Sequence, residues 1–372
     1  MSFFSDLFKK KPKEPPPPRT REEMENSLKV NEMVTHSVQT YQGVLQNAFQ
    51  RKRAPQEEEQ KLLKETFDLI ASVPAGKKLL DEVAQGGYDV YFESFSSSNM
   101  GCMYSSNKTI MLSTAAHNSV AEMATTAFHE MTHAVQHERT GYLGVKSSEL
   151  TLADQFKFHR AAEAAAWTEE ANFAYQIKEQ HPEVERMVNV FPMYRAFAAE
   201  MEKSGDKGKA GEAAFKAWYG YKHYQDSYEN NHVNNFSYFM DQSYACKKQD
   251  TLSDTISSEE VLSKVFISED LHQNISPDFL TSKEAFSVSD YAINKLNEKS
   301  AMYFKGFKDA SLGNMYSYET GEKREPQQQK EAVAASIRPQ QSMMSSLKQI
   351  DTAKKTRQLI AAKTQNRTAA QH

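Results

Sequence analysis

The chain has 372 residues, of which 39% are hydrophobic and 25% are charged, and its formal net charge is -4. This balance is typical of a soluble chain that buries one good-sized core and has room for tails. It excludes an integral membrane protein, since no apolar run approaches the about 20 residues that a spanning helix needs.

The cysteines and the N-terminal residues indicate a compartment. Cys102 and Cys246 are too few for a disulfide framework, and their spacing does not fit a metal clip. The N-terminal stretch places its charges after a short apolar segment and lacks a small-residue cleavage site, so it does not fit a secretory signal. We expect a cytoplasmic protein, although export by a signal-independent route stays open, as does the oligomeric state.

Basic residues are concentrated at the two ends of the chain. Residues 1–22 are rich in Lys and Pro, and residues 321–372 are rich in Gln, Lys, Ala and Ser with few large apolar residues. We expect a disordered leader and a disordered or transiently helical tail. Because no aromatic residues alternate with the tail charges to stack on bases, we expect no nucleic-acid partner.

Between these ends we expect a folded domain over residues 23–250 and a helical extension over 251–320. A helical pattern runs from Glu22 to about Arg51, and helices are predicted over 56–72 and 75–85. Strands are predicted at 88–93, 102–104 and 109–113. Further helices are predicted at 119–139, 152–180, 183–203, 208–229, 258–266 and 283–309. The predicted fold is α+β and predominantly helical, with a small β-sheet before the helix over 119–139.

That helix carries the sequence HEMTH at positions 129–133. Residues i and i+4 lie on one face of an α-helix, so His129 and His133 can bind one ion, and zinc suits neutral imidazole nitrogens. Glu130 lies at the flank of that face, where it can act as general base toward a zinc-activated water. Neighbours such as Met123 and Phe128 indicate a buried helix, where unsatisfied histidines would be costly.

A catalytic zinc site needs a third protein ligand and one open position. The extended HExxHxxGxxH motif is missing, because Gln136 and Arg139 replace its glycine and its third histidine. His137 lies too far along the helix to complete the site. Glu163 is the candidate, because the alanines around it would let its helix approach closely. The alternative is that Glu163 is a solvated charge on a helix that alanine favours.

Other residues compete for the third position or for supporting roles. The rival third ligands, in falling order, are Glu170, His159 and Glu169. Glu170 lies seven residues after Glu163 and could instead hydrogen-bond a ligand histidine. His159 could line the cleft.

Two further features could serve catalysis. The segment 217–228 is dense in aromatic residues, and Tyr228 and His223 are its first candidates for stabilising an oxyanion, with core packing as the alternative. The predicted strand at 109–113 could pair with an extended substrate, although a structural hairpin explains it equally well.

The order of these elements resembles a known family. The strand that begins with Gly87-Tyr88, the Ile110–Leu112 strand and the HExxH helix with Gln136 are followed by a helix with an Arg-x-x-Glu-Ala pattern at 160–164. Over about residues 60–240 the chain resembles bacterial metallopeptidases of the DUF6782 type, which are zincin-like and gluzincin-style. The resemblance implies peptide hydrolysis and maps the third-ligand glutamate onto Glu163. Trp167 stands where the gluzincin pattern has an acidic residue.

We therefore predict a zinc-dependent metallopeptidase that acts on protein or peptide substrates, and an endopeptidase rather than an exopeptidase. The alternative is a non-catalytic interaction protein. In that protein the metal would be structural or absent, and the Pro-rich head and basic tail would carry the function.

Overall fold

The computed structural model of the chain describes residues 18–40, 43–94, 100–246, 252–303 and 315–323. The fold is predominantly helical with a small sheet. The helices are α1 (Arg21–Asn26), α2 (Glu57–Ala71), α3 (Pro74–Gln85), α4 (Val120–Thr140), α5 (Leu152–Ile177), α6 (Glu185–Val190), α7 (Pro192–Ser204), α8 (Lys207–Gly220), α9 (Lys222–Ala245), α10 (Ser258–Val265) and α11 (Asp290–Tyr303). The strands are β1 (Lys29–Thr40), β2 (Gly43–Arg53), β3 (Asp89–Glu93), β4 (Gly101–Tyr104), β5 (Thr109–Ser113), β6 (Ser287–Val288) and β7 (Tyr316–Ser317).

Five strands form one sheet in the order β2-β1-β3-β5-β4, and all five precede α4 in the chain. The central pairs, β1 with β3 and β3 with β5, are parallel, whereas the outer pairs are antiparallel. Within the described residues β4 is therefore an edge strand, and its register pairs Gly101 with Leu112. A separate two-stranded sheet joins β6 and β7.

The prediction of a helix from Glu22 to about Arg51 is wrong. Helix α1 ends at Asn26, and the chain continues as the antiparallel hairpin of β1 and β2. The apolar residues at 30, 34 and 38 are four positions apart, a spacing that fits a helical turn and also the two-residue repeat of a strand. All three are valines, whose β-branched side chains favour a strand.

The other predicted elements are largely confirmed. Helices α2 to α5 and strands β3 to β5 lie within a few residues of their predicted bounds. The helix predicted over 183–203 is interrupted at Phe191, which is extended because Pro192 opens α7. The helix predicted over 208–229 is divided at Tyr221 into α8 and α9. The last predicted helix begins late, at Asp290, because residues 283–286 form a turn and the next two form β6, and residues 304–309 lie outside the described part.

Helix α4 is the centre of the packing. Every residue from Ala121 to Gln136 is buried, because α4 contacts α2, α3 and the sheet on one side and α5 on the other. A second apolar cluster surrounds α5 and α8, and Val261, Val265 and Leu271 of the predicted extension belong to it. Residues beyond 250 thus pack against the helices of the central region. Of the helices in the described ranges, none combines the length and apolar character that crossing a bilayer requires.

The close approach of α8 to the turn at Leu271 gives a stability prediction. A Cβ added at Gly211 would lie 2.1 Å from the backbone oxygen of Leu271, so Gly211→Ala must push the two segments apart. We expect the free energy of unfolding to fall by roughly 1–3 kcal/mol. Gly220→Ala in the same helix is the matched control, since no atom lies within 4 Å of its added Cβ. Urea denaturation measures both variants, and equal losses would contradict the prediction.

Candidate metal centre

The HEMTH sequence lies in the middle of α4, whose ends are fixed by local capping. The Ser119 side chain accepts a hydrogen bond from the backbone N–H of Glu122, and Gly141 ends the helix with a φ of 72°. His129 and His133 therefore lie on a regular helical segment, one turn apart and buried.

Helix α5 brings the third group. It begins at the Thr151 cap, and the alanines at 161, 162, 164, 165 and 166 are all buried. These small side chains let α5 lie close to α4, so close that the Gln136 amide on α4 donates to the backbone oxygen of Ala162 on α5 at 3.0 Å. Phe128 of α4 stacks on Phe173 of α5, with ring centroids 4.8 Å apart.

Three ligand atoms converge where the two helices face each other. Glu163 Oε2 lies 3.4 Å from His133 Nε2 and 3.7 Å from His129 Nε2. The two Nε2 atoms are 3.1 Å apart. His129, His133 and Glu163 can thus offer three donor atoms, all within 4.8 Å of one another, to one metal ion.

The hydrogen bonds behind the two imidazoles fix where their protons lie. His129 Nδ1 faces the Glu170 carboxylate at 3.1 Å, and His133 Nδ1 faces Gln136 Oε1 at 2.8 Å. The Gln136 nitrogen donates to the backbone oxygens of Ala162 and Val265, so its oxygen is the atom turned toward His133. Both partners are acceptors, and each Nδ1 therefore carries the proton.

When both rings are neutral, their Nε2 atoms therefore present lone pairs to the same point, where the carboxylate oxygen of Glu163 also lies. Glu163 Oε2 is buried and has no hydrogen-bond partner among the described residues. In that state three acceptors face one another, and a positive charge between them, whether a proton on an imidazole or a metal ion, relieves their repulsion. The residues present therefore fit a divalent metal, and they leave room for a further ligand from the adjoining cavity.

The charges at the site let His129 hold a proton in place of a metal ion when no metal is bound. Burial lowers the pKa of His129, but the Glu163 and Glu170 carboxylates outweigh it and raise that pKa to about 10. Burial favours a protonated Glu163, yet His133 and His129 hold the pKa of that carboxyl far below its ordinary value. The pocket is thus negative enough to favour cations.

Glu130 lies beside the ligands and under the edge of the sheet. A Cβ at Gly101, the first residue of β4, would come within 2.8 Å of Glu130 Cγ and 3.2 Å of its Oε1. Only glycine lets the strand lie this close to the carboxylate. Burial raises the pKa of Glu130 above its ordinary value, although His129 and His133 act against it. A raised pKa makes this carboxylate a stronger base than an exposed one.

The two predicted oxyanion residues have different outcomes. Tyr228 on α9 lines the same cavity as the ligands, and its ring packs against Trp218 and Tyr224. Burial and the negative Glu163 raise the pKa of Tyr228 well above its usual value, so its hydroxyl keeps its proton. His223 lies in the first turn of α9, but its side chain is outside the described residues.

The rival third ligands occupy other positions. Glu170 contacts His129 Nδ1, as the prediction that it partners a ligand histidine requires. Glu169 does not join His129 and His133. Its carboxylate instead accepts hydrogen bonds from the backbone N–H groups of Ile267 at 2.8 Å and Ser268 at 2.6 Å. His159 Nε2 lies 2.9 Å from the Ser147 hydroxyl and lines the cavity.

The strand predicted to meet the substrate is the wrong one. Strand β5, over Thr109–Ser113, pairs with β3 on one side and β4 on the other, so it offers no free edge. Among the residues that the structure describes, the free edge next to Glu130 belongs to β4, which follows β5 in the sheet although it precedes it in the chain. Sequence alone does not reveal that order.

Several residues of the site were not predicted. Gln136 fixes the tautomer of His133, and Trp167 packs against His129 in an edge-to-face arrangement, with ring centroids 5.1 Å apart. Gln136 lies three residues after His133 on one helix face, a spacing that could have identified it. Nothing local marks the contact of Gly101 with Glu130, because β4 meets α4 only in the folded chain.

A cavity of about 630 Å³ opens over these groups, lined by β4, α4, α5 and α9. The cavity thus lies over an HExxH helix and a glutamate that converges on it. The family model described as "Putative metallopeptidase family (DUF6782)" matches residues 42–260, more than half of the chain.

The chain belongs to this family. Its membership implies a peptidase with a metal ion and with protein or peptide substrates. The DUF6782 match contains α4 and α5 entirely, and with them His129, His133 and Glu163. No curated protein and no solved structure matches the chain significantly.

The contact between Glu170 and His129 gives a prediction about metal affinity. Glu170→Ala removes the acceptor that holds the His129 proton on Nδ1, so the imidazole can turn or change tautomer. We expect the affinity for a divalent metal to fall about 10- to 100-fold, measured by competition with a chromophoric chelator. Glu170→Gln, which keeps an acceptor oxygen, should lose less. If both variants bind as tightly as the wild type, Glu170 does not orient the histidine.

Proposed function

We propose that the protein is a zinc-dependent metallopeptidase with a zincin-like site, in which His129, His133 and Glu163 hold the metal and Glu130 is the general base. The observation that carries the proposal is the convergence of three potential ligand atoms, among them a buried Glu163 oxygen without a hydrogen-bond partner in the described residues, beside a carboxylate of raised pKa. A merely structural role would not require an orphaned carboxylate oxygen at the wall of a large cavity.

Zinc is the metal that the donor set favours. Two imidazole nitrogens and one carboxylate oxygen form the three-ligand set that catalytic zinc uses while it keeps a position open for water or substrate. Zinc bound there would lower the pKa of a water molecule and polarise the carbonyl of the scissile bond.

Glu130 would transfer a proton from the attacking water to the leaving amine. Its carboxylate accepts a proton from the attacking water and later delivers it to the nitrogen of the leaving amine. Burial under β4 suits both steps, because the raised pKa makes the carboxylate a good acceptor and keeps the proton available for transfer. Gly101 keeps the strand from displacing this side chain.

Tyr228 would stabilise the developing negative charge on the carbonyl oxygen. Its hydroxyl stays protonated and belongs to the wall of the cavity opposite α4 and α5, from which it can donate a hydrogen bond. His223 remains a second candidate for this role on the sequence alone.

The edge of β4 would hold the substrate. An extended peptide can add to an edge strand through backbone hydrogen bonds, and β4 runs beside Glu130. A peptide held in this way continues on both sides of the scissile bond, which favours an endopeptidase.

Cys102 on β4 and the exposed Cys246 are free thiols, which supports a reducing compartment such as the cytoplasm.

Metal analysis of two variants separates the roles of Glu130 and Glu163. We expect Glu130→Gln to keep near-stoichiometric zinc but to lose about 100- to 10,000-fold in peptide hydrolysis, because only the base is removed. Glu163→Ala should lose tight zinc, because it removes a ligand. Inductively coupled plasma mass spectrometry and a fluorogenic peptide assay measure the two effects.

Thermal melts of both variants serve as the control for folding. Tight zinc retained in Glu163→Ala would rule out that residue as the third ligand. A wild-type protein that is purified without metal and acquires none would favour the non-catalytic interaction protein instead.

The Tyr228 hydroxyl can be tested without disturbing the metal. We expect Tyr228→Phe to lower kcat by about 100- to 1,000-fold with little change in KM or zinc content, since the hydroxyl acts on charge that develops in the transition state. Tyr238→Phe on the exposed face of α9 is the matched control and should be unchanged. An equal kcat in Tyr228→Phe and wild type would exclude the role.

A further inference from the structure

One wall of the cavity is aromatic and begins at a proposed metal ligand. Trp167 on α5 packs edge to face against His129, with ring centroids 5.1 Å apart. The same indole packs against Phe191 at 4.9 Å and against Tyr224 of α9 at 5.3 Å. Trp167, Phe191 and Tyr224 all line the cavity, and together they form the aromatic wall.

The rings of the aromatic wall form one surface and not a cage. Phe191 and Tyr224 lie 6.3 Å apart, with their planes 29° from parallel. Their planes are inclined to the Trp167 indole by 47° and 32° respectively. At these separations the rings pack against one another, so they leave no central space in which several ring faces could surround a cation. A bound side chain would instead lie across their combined apolar area.

The wall is built from three separate parts of the chain. Phe191 ends α6 and caps α7 in an extended conformation, and its backbone N–H donates to the Met187 oxygen at 2.9 Å. The buried Tyr194 lies behind the wall, with its ring 6.3 Å from Trp167 and 6.1 Å from Phe191. Because helices on three sides hold the rings in place, a ligand would pay little to order them.

Part of this apolar surface faces the cavity. Trp167 is 8% exposed, whereas Phe191 and Tyr224 are only half-buried, although both pack against the apolar cluster around α5 and α8. Apolar ring surface left in contact with water is unfavourable, and covering it stabilises a complex. The wall therefore favours an apolar group over a polar one.

The charges of the cavity argue against an acidic group. Glu130, Glu163 and Glu170 line the same cavity and would repel a carboxylate. A bound divalent metal would offset most of this negative charge, so a cationic side chain would gain little attraction. It would also have to lose its hydration against rings that do not surround it.

We infer that the aromatic wall is a specificity subsite for a large apolar side chain, that of Phe, Leu or Met, on a residue that flanks the scissile bond. The inference rests on the proposed peptidase function, which places the scissile bond over the metal that His129 binds. The wall starts 5.1 Å from the His129 ring, and successive residues of an extended peptide are about 3.3 Å apart. The side chain on the wall therefore belongs to a residue close to the cut.

The size of the wall sets the expected preference. An alanine side chain would leave most of the three rings uncovered, whereas a side chain of the size of Leu or Phe reaches across them. We expect kcat/KM to be at least about tenfold higher for Phe, Leu or Met than for Ala at this position.

Tryptophan fluorescence tests the wall independently of catalysis. The chain has two tryptophans, and Trp218 is fully buried away from the cavity, so Trp167 is the one that a ligand can contact. The full-length, zinc-loaded Glu130→Gln variant is titrated with the N-acetyl amides of leucine, alanine, lysine and glutamate. We expect the leucine amide to half-saturate the change in emission at a concentration at least about tenfold below that of the other three. Equal half-saturation, no change in emission, or tighter binding of the lysine amide would overturn the subsite.

Cleavage profiling then connects the wall to activity. Wild-type protein, Phe191→Ala and Phe191→Leu digest the same peptide library, and Phe191 is varied because Trp167 itself packs against His129. We expect Phe, Leu and Met to be enriched next to the cut in wild type and in Phe191→Leu. In Phe191→Ala this enrichment should fall about 3- to 10-fold, with zinc content and the cleavage of peptides that carry Ala there unchanged.

Phe279→Ala is the matched control. Phe279 is also half-buried and packs against two rings, those of Phe215 and Tyr219, but it lies outside the cavity lining. We expect this variant to keep the wild-type preference. An enrichment that survives undiminished in Phe191→Ala, or falls equally in Phe279→Ala, would contradict the subsite.

The two experiments separate the two proposals. A wild-type enzyme that cleaves peptides without any apolar preference next to the cut contradicts the subsite and leaves the peptidase standing. A protein that cleaves nothing, yet binds the leucine amide selectively, contradicts the peptidase and retains the apolar binding site.

Discussion

The candidate site depends on the repulsion between the lone pairs of two imidazole nitrogens and a carboxylate oxygen. Two imidazole nitrogens and a carboxylate oxygen meet in a buried space, and their lone pairs oppose one another unless a proton or a metal ion lies between them. Glu170 and Gln136 cause this arrangement, because each accepts the Nδ1 proton of a histidine and so exposes its Nε2 lone pair. Glu163 would be unfavourable there without a positive charge between the groups. The candidate metal centre is therefore defined by its outer hydrogen bonds as much as by its three potential ligands.

Helix α5 joins this centre to the rest of the molecule. One face presents Glu163 and Glu170 to the metal centre, whereas the buried Glu169 accepts hydrogen bonds from the chain at Ile267 and Ser268. A buried carboxylate is tolerated only when it is satisfied in this way. The same contacts that satisfy Glu169 also fix the rotation of α5 about its axis. The direction in which Glu163 points thus depends on residues that lie about a hundred positions later.

The sequence predicts those parts of the site that a single helix determines. The spacing of His129 and His133 is local geometry, and the alanines beside Glu163 predicted correctly that two helices could approach. The hairpin of β1 and β2 could not be separated from a helix, because valines four residues apart satisfy both periods. The sequence also does not predict the order of the strands, since the position of β4 at the edge depends on pairing between strands that are far apart in the chain. Contacts between such distant segments also explain why Gly101 was not recognised.

The hydrogen bond from Gln136 to the Val265 oxygen has a consequence for how the protein can be divided. The family match ends at residue 260, so Val265, Ile267 and Ser268 all lie beyond it. A fragment cut at that boundary would retain every proposed ligand. It would nevertheless leave the Gln136 amide short of one acceptor and Glu169 without its donors. The minimal unit that can build this centre is therefore longer than the stretch of sequence by which the family is recognised.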